Sequence, residues 1–177
     1  MKKFLINIIL ILISFFIYFL QSNFFSWFNI AGVKPNLFVI YILFIGLFGN
    51  KTMGTIYGVT VGIMLDYLLE EKVGANLIGL AAIGFLATVF DRNFSKDSRM
   101  TIMFMVFGST IIFEVITYIT KYILYAANIE IANFIIILLI EVFYNILITI
   151  IIYPILQKFG YYIENEYKGN KILTRYF

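Results

Sequence analysis

Apolar runs occupy this chain almost from end to end, and that one feature decides the solvent it folds in. Six stretches, at residues 4–20, 35–49, 53–70, 73–90, 100–125 and 132–156, are separated by short polar turns. A helix crosses the ~30 Å hydrocarbon core of a bilayer with about 20 apolar residues, and lipid forces its backbone groups to be satisfied internally. With 62% hydrophobic and 13% charged residues in a chain of 177, nearly everything lies in or beside lipid. No water-soluble domain of useful size remains. The sequence therefore predicts an all-α integral membrane protein, one domain over residues 1–177, built as a six-helix transmembrane bundle with a tail at 157–177. Cysteine and histidine are both absent. Disulfides, thiolate chemistry, Cys/His zinc sites and Ser-His-Asp triads are excluded with them, and no cofactor is expected.

In chain order, Lys2 and Lys3 lead into the first run, which has the look of a signal peptide. No small-residue cleavage site follows it. The aromatics Phe24, Phe25, Trp27 and Phe28 come instead, as at a membrane interface, so the run reads as an uncleaved span. Pro35 suits the first turn of a new helix. The stretch Leu37–Gly49 has only 13 residues, about 20 Å of helix, so the second segment is short, tilted or broken around Gly46 and Gly49. Glu70, Glu71 and Lys72 form a charged turn, residues 91–99 are the most polar loop, and the last turn spans Asn128–Asn133. The sixth run ends near Pro154. The tail mixes Lys158, Lys168, Lys171 and Arg175 with tyrosines and reads as a membrane-surface segment.

Gly54, Gly58, Gly62 and Asp66 recur every fourth residue and form one stripe on a helix. Three members have no side chain. In an apolar helix such a stripe admits a close neighbouring backbone, and helix propensity is given up to obtain it. Two readings follow: the stripe packs helices within one bundle, or Gly46, Gly49, Gly54, Gly58 and Gly62 receive the helix of a partner.

Three carboxylates also need an account. Asp66 ends the third span near the outer interface, where water reaches it. Glu114 and Glu141 fall near mid-membrane, where a lone charge costs at least ~2.5–3.5 kcal/mol. Asn145 shares the Glu141 face, and Lys121 lies two turns outward of Glu114. The plain reading makes Glu114 and Glu141 protonated, hydrogen-bonded interior residues. The functional reading makes Asn36, Asp66, Glu114, Glu141 and Asn145 the polar groups of a pocket. Catalysis finds no support: there is no nucleophile–base pair, no paired-aspartate metal motif and no phosphate-binding glycine loop. Nor does any basic tract with interleaved aromatics suggest nucleic acid.

Several motifs together resemble the MreD family of rod shape-determining membrane proteins. They are Lys34-Pro35-Asn36-Leu37 opening a short helix, Gly46-Leu47-Phe48-Gly49, the glycine stripe closed by Asp66, Gly74–Leu80, and Tyr144-Asn145 with Tyr153-Pro154 in the last span. The family more often has Asp than Asn after the proline, which leaves a charge-dependent role for Asn36 in doubt. The resemblance implies a fold similar to the substrate-capture subunits of energy-coupling-factor transporters, in the bacterial inner membrane. It also implies a non-enzymatic part in cell elongation: binding MreC and, through it, the MreB filaments, a SEDS glycosyltransferase (RodA) and a class B penicillin-binding transpeptidase. The alternative is a solute-binding S component of an energy-coupling-factor transporter, although the loop at 91–99 lacks an evident alanine motif for docking a coupling subunit.

Lys2, Lys3, Lys51, Arg92, Lys96, Arg99, Lys158, Lys168, Lys171 and Arg175, ten of the thirteen basic residues, fall on the side of the N-terminus if there are six spans. The positive-inside rule then puts both termini in the cytoplasm. A fluorescent reporter fused after Phe177 is expected to be active, and an alkaline phosphatase fused there inactive; the reverse pattern would overturn the topology.

Overall fold

An α-helix that is apolar on every side has to be buried on every side, and the segment after Pro35 is such a helix. In the computed structural model, which describes residues 2–50, 52–69, 72–125 and 130–169, it forms the centre of the molecule. Lys51, Glu70, Glu71, Asn128, Lys171 and Arg175, all used in the sequence reading, lie outside the described residues. Six helices follow one another: α1 (Lys2–Trp27), α2 (Leu37–Phe48), α3 (Met53–Leu69), α4 (Ala75–Asn93), α5 (Arg99–Tyr125) and α6 (Ile131–Lys168). α1, α4, α5 and α6 are long and apolar enough to cross a membrane; α2 and α3 are shorter. α1 widens into a π-helical turn at Leu20–Phe24.

All 12 residues of α2 are buried, and each of the other five helices packs against it. Both described ends of the chain lie at one end of the bundle, where Lys2 Nζ pairs with Glu166 Oε1 at 3.3 Å. That end is called the termini end below, and the opposite one the far end.

The most intimate contact is α3 against α4, and the glycine stripe is its surface. A Cβ placed on Gly62 would lie 2.5 Å from Leu77 Cα, and one on Gly54 would lie 2.6 Å from Gly46 Cα and 2.8 Å from Gly84 O. A Cβ on Gly58 would run into the backbone carbonyl of Leu80, and one on Gly46 into the side chain of Ala87. Gly49 instead ends α2, its N–H donating to Ile45 O at 2.8 Å. These contacts correct the expectation of a partner's helix over Gly46, Gly49, Gly54, Gly58 and Gly62: α2, α3 and α4 of the same chain already fill that space.

The tail also differs from its sequence reading. α6 does not stop near Pro154 but passes through it to Lys168. Tyr153, Gly160 and Ile163 are buried, and Gly160 lies so close to the Phe48 ring that an added Cβ would be 2.6 Å from it. Residues 157–168 are thus held against the termini end of α2.

The stripe yields a paired prediction. Gly58→Ala should destabilise the protein by about 1–3 kcal/mol, because the atom it meets is backbone and cannot rotate away. Gly108→Ala, where nothing lies within 4 Å, should be neutral or stabilising by up to about 1 kcal/mol through helix propensity. Thermal unfolding of the two variants in detergent measures the difference.

Candidate functional site

A helix leaves unpaired N–H groups at its start, and at the far end of α2 polar side chains from three elements collect around them. Asn36 Oδ1 accepts from Val39 N at 3.3 Å, and Gln21 Oε1 of α1 accepts from Leu37 N at 3.1 Å. The N–H of Asn36 donates to Asn145 Oδ1 of α6 at 2.7 Å, and Asn145 Nδ2 donates to Thr110 Oγ1 of α5 at 3.0 Å. Asn145 is completely buried.

One turn earlier on α6, the Glu141 carboxyl neighbours the Asn36 and Asn145 side chains and the Glu114 carboxyl of α5. Glu141 is 7% exposed, and its Oε1 has no hydrogen-bond partner. Next to this group a cavity of about 420 Å³ is lined by Asn36, Asn76, Glu114, Thr117, Lys121 and Asn133, among others.

Asp66 stands apart from this cavity, and its surroundings differ from those expected. It is not at the water but fully buried. Its oxygens accept from Gly74 N (2.8 Å), Asn76 N (2.9 Å), Leu77 N (3.1 Å) and Asn76 Nδ2 (2.9 Å). It therefore caps the start of α4 from α3, where the helix dipole and free N–H groups favour a carboxylate. Gly74, at φ +149°, makes a turn that a side chain would resist. Asn76 links the two places, since it binds Asp66 and also lines the cavity.

At the termini end, Lys96 Nζ and Lys168 Nζ both donate to Leu47 O, at 3.1 and 3.0 Å. Asp91 bridges them at 2.8 and 2.7 Å, and Glu164 binds Lys96 at 2.6 Å. Cations there complement the negative end of α2. The sequence reads Lys96 and Lys168 as markers of the cytoplasmic side, Lys168 also as part of a membrane-surface tail, and assigns no role to Asn76, Thr110 or Gln21. The only available signal for the lysines was their place in stretches flanking apolar runs, which topology alone explains.

The structure thus brings Asn36, Glu114, Glu141 and Asn145 together, leaves Asp66 to a capping site of its own, and turns the glycines to intramolecular packing. A family model described as rod shape-determining protein MreD matches residues 2–163. No curated protein and no solved structure matches the chain.

Replacing Asp66 by Ala should strand buried N–H donors at about 1–3 kcal/mol each. Asp66→Asn, which keeps one acceptor oxygen, should lose less. Denaturation of both variants in detergent checks the order, and equal stability of Asp66→Ala and the parent would refute the capping role.

Proposed function

The chain belongs to the MreD family of rod shape-determining proteins, and from that premise we propose that it is a non-enzymatic membrane component of the bacterial cell-elongation machinery. It holds the transmembrane helix of MreC in the inner membrane. Through MreC it connects to MreB, a SEDS glycosyltransferase and a class B penicillin-binding transpeptidase, with both of its own termini in the cytoplasm. The observation that carries this reading is the match over residues 2–163, which takes in five helices whole and most of α6.

Since the glycine stripe is occupied from within, the partner helix needs another seat. Between α1 and α6 a cleft of about 440 Å³ reaches down to α2, lined by Leu10, Phe16, Ile40, Phe44, Ile151 and Phe159 among others. Helices in lipid associate through close van der Waals contact rather than through the hydrophobic effect, and a concave wall offers more of that contact than a convex one. Phe16 and Ile151 lie on its rim, 60% and 72% exposed.

The polar cavity beside Glu114 favours a second reading, a solute-binding S component of an energy-coupling-factor transporter with a capture-subunit fold. Transporter ATPase genes beside this one, and a vitamin requirement on deletion, would support it over the first.

Deleting the gene should round the cells, and the tagged chain should co-purify MreC; normal rods and no co-purification would overturn the adaptor reading. Within that reading, cysteines at Phe16 or Ile151 should crosslink to the MreC helix while one at Phe104, 72% exposed on α5, should not. Co-purification with crosslinks at Phe104 alone would reject the cleft and leave the adaptor role standing.

A further inference from the structure

We propose that the far-end cavity is a binding site for a ligand bearing an ammonium group, which Glu114 on its wall, with Glu141 behind it, receives as a cation. The site goes beyond the adaptor role and does not rest on it.

The first support is the position of the carboxyls. Glu114 lies on the cavity wall two turns inward of Lys121, and Glu141 sits against Glu114 and Asn36, both of which line the cavity. Glu141 is 7% exposed, yet its Oε1 has no partner. A buried polar atom of this kind is rare unless something completes it, and at membrane depth an unpaired carboxylate is expensive enough to mark a functional position. A cation held at Glu114 would place a positive charge next to both carboxyl groups.

The second support is the rest of the lining. Glu114 and Glu130 face a single cationic side chain, Lys121, among the described residues that line the cavity, and Glu141 behind them adds to the acid excess. Phe113, Tyr118 and Phe134 also lie on the wall, with the Tyr118 and Phe134 rings 4.3 Å apart. Aromatic faces and carboxylates are the two groups that recognise an ammonium ion. Asn36, Asn76 and Asn133 add donors and acceptors for a polar body attached to it. A bare divalent metal fits less well, since no cluster of three or more acidic, His or Cys ligands occurs among the described residues.

The third support is size. At about 420 Å³ the cavity falls within the usual ~300–1,000 Å³ of small-ligand sites. The same ammonium chemistry comes from a free amino compound or from an aminophospholipid headgroup.

The full chain, purified in detergent, is offered phosphatidylethanolamine, phosphatidylglycerol or free ethanolamine and followed by native mass spectrometry and thermal unfolding. Retention of phosphatidylethanolamine over phosphatidylglycerol would identify a headgroup site, and stabilisation by ethanolamine alone a solute site. Either preference should fall about tenfold in Glu114→Gln/Glu141→Gln, the scale of a lost charge-assisted contact. Should that variant fold poorly, Ile137→Trp, at a lining position 43% exposed, should block binding while leaving the carboxyl pair intact. Equal retention of both lipids with no response to ethanolamine would overturn the proposal, as would full binding by the folded variants.

Discussion

The two ends of α2 are the constraint on which the molecule depends. Twelve apolar residues make about 18 Å of helix, well short of the ~30 Å of hydrocarbon. Both termini of this helix therefore stop inside the protein, where their unpaired backbone groups find no water. Neighbouring helices supply the partners. Gln21, Asn36 and Asn145 gather at the start of α2, and Lys96 and Lys168 meet the Leu47 carbonyl at its end. Each of those groups meets a backbone group at one end of α2.

A short buried helix also demands close neighbours, and this explains the glycines. Gly46 of α2, Gly54 of α3 and Gly84 of α4 meet where an added Cβ on any of them would collide with another segment. The crossing brings α3 and α4 to backbone contact. In lipid, where apolar surface gains little by leaving its surroundings, such contact is the chief source of helix association. Asp66 fastens the far end of the same pair by accepting from the first turn of α4. The result is a closely packed α2–α3–α4 core, which α1 meets through a narrow buried stripe of Ile6, Leu10 and Ser14.

Around that core the molecule keeps two openings of opposite character. The cleft between α1 and α6 is lined almost wholly by apolar side chains, while the far-end cavity carries acids, amides and a lysine. The apolar opening suits another helix, and the polar one suits something small.

By itself the sequence determined the solvent, the helical class, the six elements and their order, and the shortness of the second segment. These depend on composition and on run length, which are local properties. It also marked Glu114, Glu141 and Asn145 as unusual, because the cost of a polar group in lipid can be read one residue at a time. Only the tertiary structure decided what each group faces. A glycine stripe looks the same whether the helix across it belongs to this chain or to another, and here it belongs to α4. Asp66 at the end of an apolar run looks solvated until the first turn of α4 is brought over it. Lys96 and Lys168 count equally as topology signals and as caps, and their distance in sequence hides the fact that they share one carbonyl. Those choices rest on contacts between distant segments, which no local pattern encodes.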